Sequence, residues 1–196
     1  SLEDALKNNP KDFGHDVFSQ MITEGKAVFA YDFTKNTIDG FRSEEVAYWR
    51  DVGSLSQFYQ AHMDLLGENP VLRLQHQKWK MLTHVGSAEP IRVSGRAICL
   101  DVLLANGVWV HDDATVKSSV VSYQMEIERG AEVINSILMG YGHIGEGAII
   151  RNTIIDRNVS VPPRTVTGVN KEDDLARKFS VSGGLTVVPR DYQFKK

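Results

Sequence analysis

The chain has 196 residues, 42% hydrophobic and 24% charged, a composition able to bury a real core in one good-sized domain or two small ones. With 22 basic against 25 acidic residues the net charge is −3, which leaves no electrostatic case for nucleic acid or an anionic membrane as partner. The single cysteine, Cys99, excludes an internal disulfide framework and fits a cytoplasmic setting, and no apolar run approaches the roughly 20 residues that a membrane span requires.

Residues 1–68 read as alternating helix and strand. The opening "SLEDALKNNP" (1–10) starts in mid-helix without an initiator methionine or the layout of a signal peptide, so the sequence reads as a piece of a longer protein. "HDVFSQMITEG" (15–25) puts Val17, Phe18, Met21 and Ile22 on one helical face, with Gly25 as C-terminal cap. "KAVFAYDF" (26–33) and "EVAYWRDVG" (45–53) are β-prone. "SLSQFYQAHMDLLG" (54–67) offers Ser54 and Gln57 as a capping box, a buried stripe of Phe58, Ala61, Leu65 and Leu66, and a stop at Gly67. These pieces suit an α/β layer with too few strands to close a sheet, and a linker, 69–93, follows.

From residue 94 to 196 the period changes. "HDDATVKSSVVSYQMEI" (111–127), "ERGAEVINSILMGYGHI" (128–144) and "GEGAIIRNTIIDRNVSV" (145–161) agree column by column. Ala114, Ala131 and Ala148 align, as do Val116, Val133 and Ile150; Ser118, Asn135 and Asn152; and Ser119, Ser136 and Thr153. Apolar columns follow at Val120, Ile137, Ile154 and at Val121, Leu138, Ile155. A fainter copy, 94–110, precedes them, divergent enough for an irregular first coil. Branched apolar residues about every six positions, with Ser and Asn at bends, predict a parallel β-helix of about four coils.

Several motifs are candidates to carry chemistry. "GYGHIG" (140–145) spells G-x-G-x-x-G, but the motif holds a dinucleotide only between a strand and a helix, and here it straddles two repeats with no helical pattern after it. Its glycines are expected to supply positive φ at corners. Asp51, in "YWRDVG", is either a turn carboxylate or a hard oxygen ligand for Mg²⁺ at the carboxyl end of a strand. In "KDFGHD" Asp16 reads as a helix N-cap. "HDD" (111–113) reads as an exposed corner, His111 and His143 as incidental unless the chain is a β-helix acyltransferase, and "KEDDLARK" (171–178) as a solvated helix.

"DFGHD", "YWRDVGS", "QFYQAHMDLL" with "NPVL", "IIDRNVSVPP" and "DDLARKFSVSGGLTVVPR", in this order from about residue 10 to 191, resemble bacterial glucose-1-phosphate adenylyltransferase. The resemblance implies the end of a Rossmann-like nucleotidyltransferase domain (1–68) followed by a left-handed parallel β-helix (94–196) for regulation and oligomerisation. It implies a reaction of ATP with glucose 1-phosphate giving ADP-glucose and pyrophosphate for glycogen synthesis, Mg²⁺ as cofactor and a homotetramer. By position it implies Asp51 as catalytic metal ligand, and Asp12, Phe13 and Trp49 in the sugar-phosphate pocket. Arg157 and Arg190 fall where an anionic sugar-phosphate effector binds. Lys11 departs from the histidine common before "DFG". The family's Gly-rich nucleotide loop, second metal Asp and sugar-phosphate Lys have no counterpart here, so this chain by itself is expected to be inactive. Alternatives are a non-catalytic regulatory subunit, another sugar-nucleotide pyrophosphorylase and, further off, a hexapeptide-repeat acyltransferase.

Overall fold

The computed structural model describes residues 12–76, 78, 79 and 89–194. The opening helix read for 1–10, and Lys11, lie outside these residues. The chain divides into two compact units, Ser1–Thr37 and Ile38–Lys196.

In the first unit a π-helical turn, Phe13–Phe18, runs into a short α-helix, Ser19–Thr23, and Gly25 follows at φ +70° as expected of a C-terminal cap. The cap at the other end differs from expectation. Asp12, not Asp16, is the N-cap: its Oδ1 accepts from the His15 amide at 2.5 Å, while Asp16 Oδ2 accepts from the Asp12 amide at 3.0 Å. Of the predicted apolar face only Val17 is buried; Phe18 and Ile22 are exposed. The strand expected over 26–33 does not form. That stretch is irregular up to a 3₁₀ turn that begins at its last residue, Phe33–Lys35, and Val28, Phe29 and Tyr31 are exposed. Strand propensity alone cannot fix a strand whose amides find no ladder partner.

The second unit begins with irregular chain and two helices, Ser43–Val46 and Leu55–Met63. The first occupies part of the other expected strand, 45–53. Glu45 at the third helical position reaches back to the Arg42 amide at 3.0 Å, so a local capping interaction overrides the β-prone composition. Ser54 caps the second helix as expected, its Oγ accepting from the Gln57 amide at 3.3 Å. The stripe Phe58, Ala61, Leu65 and Leu66 is only half-buried.

The remainder is a parallel β-solenoid of about four turns, built on three ladders. One joins β1 (Arg92–Val93), β3 (Trp109–Val110), β5 (Met125–Ile127), β8 (Gly142–Ile144) and β11 (Ser160–Val161). The second runs through the first halves of β2 (Ile98–Leu104) and β4 (Thr115–Val121), then β6 (Glu132–Ile134), β9 (Ile149–Arg151) and β12 (Val166–Thr167). The third takes the second halves of β2 and β4, then β7 (Ile137–Leu138), β10 (Thr153–Ile155) and β14 (Leu185–Val188). Partners such as Val116↔Val133↔Ile150 keep the 17-residue step read from the sequence, and the divergent copy is regular, with Cys99 opposite Val116. Only the last step departs: Ile154 pairs with Val187, because the Lys171–Ala176 helix and the antiparallel strand β13 (Ser180–Ser182) are inserted there.

The 17-residue step has a conformational basis. Three corner columns adopt left-handed backbone once per coil: Gly107, Gln124, Tyr141, Asn158; Asp113, Gly130, Gly147, Arg164; and Asp101, Ser118, Asn135, Asn152. Short polar side chains tolerate this region better than branched ones, which accounts for the Ser and Asn at the third corner. Inside, the predicted columns Ala114/Ala131/Ala148, Val116/Val133/Ile150 and Val121/Leu138/Ile155 form one buried core. Val120, Ile137 and Ile154 are buried too but lie outside that core, pointing the opposite way from their strand neighbours. The Leu55–Met63 helix packs against β4.

The glycines of "GYGHIG" correct the expectation in part. Gly140 does sit at φ +104°, but the left-handed corner residue is Tyr141. Gly142 and Gly145 are glycine because a Cβ would meet Val159 O at 2.4 Å and Pro163 N at 2.5 Å, so the next coil leaves no room.

Candidate functional site

The residues singled out in the sequence fall into three places. In the first unit Asp12 spends Oδ1 on the helix cap, and Phe13 is half-exposed, edge-on to Phe18 with ring centroids 5.4 Å apart.

In the second unit the "YWRD" segment is pinned by its middle. Arg50 Nε donates to Asp64 Oδ2 at 2.8 Å and its Nη2 also bonds that oxygen, while Tyr48 OH donates to it at 3.1 Å. Gln60 Nε2 holds the other oxygen at 3.1 Å. Burial pushes the Asp64 carboxyl pKa up, but the hydrogen bonds from Gln60, Arg50 and Tyr48 outweigh it and hold the group below its ordinary value. With Arg50 turned to Asp64, the flanking Trp49 and Asp51 are both exposed. Asp51 makes an Asx turn ahead of the helix: Oδ1 accepts from the Gly53 amide at 2.9 Å and Oδ2 from Gln57 Nε2 at 3.2 Å.

A second buried carboxylate braces the same region. Glu45, whose side chain is 0% exposed, pairs with Arg73 Nη2 at 2.7 Å and Arg42 Nε at 3.2 Å. Hydrogen bonds led by that from Arg73 overcome the burial and hold its carboxyl far below the usual range. Sequence reasoning passed over Glu45, Arg50, Asp64 and Arg73. Their one signal is charge inside otherwise apolar segments, "EVAYWR" for Glu45 and Arg50, "AHMDLL" for Asp64 and "PVLRL" for Arg73, where an unpaired charge would be costly.

The third place is the last coil. The Arg157 amide donates to Asp156 Oδ1 at 2.7 Å, and Arg190 Nε lies 3.8 Å from that same oxygen. The Asp191 amide donates to Arg157 O at 3.1 Å. The two arginines, 33 residues apart, are therefore brought together around Asp156, both with exposed side chains.

Other sequence candidates resolve into structural pairs. His111 Nε2 meets Glu126 at 2.8 Å and His143 Nε2 meets Glu128 at 2.9 Å, on one sheet face. Asp112 and Asp113 pair with Arg96 and Arg129. The "KEDDLARK" helix is not wholly solvated: Asp174 is buried, and its Oδ2 accepts from the Gly168 amide at 2.9 Å and Thr186 Oγ1 at 2.8 Å. Among the described residues no three His, Cys, Asp or Glu converge as a metal site, and no helix is long and apolar enough to cross a membrane.

A stacked solenoid of 17-residue coils with three short strands to a turn, preceded by a helical segment with an outward tryptophan and carboxylate, defines the class. The chain belongs to the family described as GlmU-like, C-terminal hexapeptide, whose model matches residues 91–188. A nucleotidyl transferase family model matches residues 2–68. Curated relatives make the resemblance specific. Glucose-1-phosphate adenylyltransferase 1 of Vibrio vulnificus (strain YJ016) is 36% identical over 195 residues, 96% of this chain and 47% of the relative. The glucose-1-phosphate adenylyltransferase of Corynebacterium diphtheriae is 38% identical over 200 residues, 98% of this chain and 46% of its own. That of Arthrobacter sp. (strain FB24) is 37% identical, covering 91% of this chain and 39% of its own. The chain spans about half the length of the curated relatives it matches, and these relatives are the proteins that its motifs resemble.

Proposed function

We propose that this sequence is the C-terminal part of a glucose-1-phosphate adenylyltransferase, which joins ATP and glucose 1-phosphate into ADP-glucose and pyrophosphate for glycogen synthesis in the cytoplasm. The observation that carries the reading is similarity running unbroken through both the nucleotidyltransferase segment and the solenoid.

In this reading Asp51 supplies one ligand to a catalytic Mg²⁺. The residues present fit that limited part: Asp51 is an exposed hard carboxylate fixed by its own turn, and Mg²⁺ takes one or two carboxylates together with substrate phosphates. The bound ion would neutralise charge gathering on the phosphates. Trp49 offers an exposed aromatic face to a sugar ring, held outward by the Arg50–Asp64 pair. Asp12 and Phe13, by their place in the "DFG" motif, are assigned to sugar-phosphate binding. Arg157 and Arg190 bind an anionic sugar-phosphate effector, to which the guanidinium fork is suited. The whole protein is a homotetramer, and this chain alone does not turn over.

The test is to assay the protein carrying this chain with ATP and glucose 1-phosphate, and with other nucleoside triphosphates and sugar phosphates. ADP-glucose as the preferred product supports the reading. Preference for another nucleotide or sugar would assign a different pyrophosphorylase, and no product beside retained effector binding a regulatory subunit.

A further inference from the structure

The C-terminal end of the solenoid is plugged by aromatics. Phe179, Tyr192 and Phe194 meet edge to face, with centroids 4.9 Å apart for Phe179–Tyr192 and Tyr192–Phe194. Beside the plug lies a cavity of about 380 Å³ whose walls include Pro162 and Thr165 of the last coil, Arg177 and Lys178 after the inserted helix, and Tyr192 and Phe194 of the tail. Neither Arg157 nor Arg190 lines it.

Its charge is one-sided. Among the described residues two cations line the cavity and no carboxylate does, in a chain whose net charge is −3. Arg177 commits Nη1 to the Val166 carbonyl at 2.6 Å, which caps the edge strand β12 and leaves the other donors of the fork. Lys178 forms no ion pair among the described residues. Nor do the helix-end carbonyls cancel this charge. Asp173 O, Leu175 O and Asp174 O accept from the amides of Arg177, Lys178 and Phe179, and Arg177 O accepts from Tyr192 OH at 3.0 Å. Lys178 also stands at φ +65°, a backbone position that suits glycine.

We propose that this cavity binds a small phosphorylated molecule carrying a flat ring, its anionic group on Lys178 and Arg177 and its ring against Tyr192 and Phe194. Two unpaired cations favour a dianion, and two adjoining aromatic rings favour a planar apolar body over a bare ion.

Phenyl phosphate is the minimal probe, titrated calorimetrically into the full chain beside inorganic phosphate and phenol. Expected is saturable binding at about 1 mM or tighter, with inorganic phosphate and phenol each weaker. Lys178→Gly removes the charge where glycine is conformationally at ease, so the melting temperature should hold or rise while affinity falls about tenfold. No binding of phenyl phosphate at 10 mM (about ten times the expected constant) would overturn the proposal, and so would unchanged affinity in Lys178→Gly. Inorganic phosphate binding as tightly as phenyl phosphate would refute the ring contacts. Binding lost in Arg157→Ala but kept in Lys178→Gly would place the probe on the other arginines and overturn the cavity site.

Discussion

The Tyr59 hydroxyl donates to the backbone carbonyl of Asn135 at 3.0 Å, joining the helix of the nucleotidyltransferase segment to a left-handed corner of the solenoid. Tyr59→Phe removes only that bond and keeps the ring. It should cost about 1 kcal/mol in urea unfolding with an unchanged m-value. No loss would mean that apolar packing on β4 alone holds the helix.

The buried hydroxyl column is a ladder in its own right. Ser119 Oγ accepts from the Ser136 amide at 3.1 Å, and Ser136 Oγ accepts from the Thr153 amide at 3.2 Å while donating to Ile134 O at 2.7 Å. Ser136→Ala strands the buried Thr153 amide, while Ile134 O keeps the Asn152 amide at 3.1 Å, so a loss of about 1–3 kcal/mol is expected. Ser136→Thr should be close to neutral, since Thr153 already fills the same column. Equal stability of the alanine variant by thermal melting would refute the ladder's contribution.

Two glycines separate clash from strain. A Cβ on Gly168 would lie 1.6 Å from Arg151 O, whereas one on Gly130, at φ +67°, meets nothing within 4 Å. Gly168→Ala is expected to prevent native stacking of the last coil, whereas Gly130→Ala pays left-handed strain of about 1 kcal/mol. Circular dichroism melts of the two variants should therefore differ widely, and similar melts would contradict the backbone packing at Gly168.

Glu45 gives a pH dependence with a definite sign. Its carboxyl is held far below its ordinary value of 4.5, so the stability it contributes is complete above about pH 4.5 and is lost as pH falls toward the folded-state value. Glu45→Gln should cost about 2 kcal/mol at pH 7, because Arg73 and Arg42 lose a buried partner, and should flatten the acid limb of the stability curve. A variant whose acid limb matched the parent's would rule Glu45 out as its source.

What could be read in advance follows from where the information lies. The solenoid was legible because each coil repeats the same demands: apolar at Val116, Val133 and Ile150, hydroxyl at Ser119, Ser136 and Thr153, left-handed tolerance at Ser118, Asn135 and Asn152. The inserted helix was legible as a helix, but not the burial of Asp174, whose partners Gly168 and Thr186 lie on the solenoid frame rather than on the helix. The strands read at 26–33 and 45–53 failed for the opposite reason. "KAVFAYDF" has the propensity but no ladder, and "EVAYWRDVG" is claimed by the Glu45 cap and the Arg50–Asp64 pair. Asp51 and Trp49 could be named from their motif. That Arg50 is the residue holding them outward required the position of Asp64, 14 residues on.

The most direct test of the functional reading is steady-state pyrophosphate release by the full-length protein with Asp51→Ala, measured across a Mg²⁺ titration. Loss of a metal ligand should lower kcat by on the order of 10²-fold or more with the melting temperature little changed, since Asp51 is exposed and holds only its own turn and the Gln57 side-chain amide. Near-parental turnover with the same Mg²⁺ dependence would contradict it.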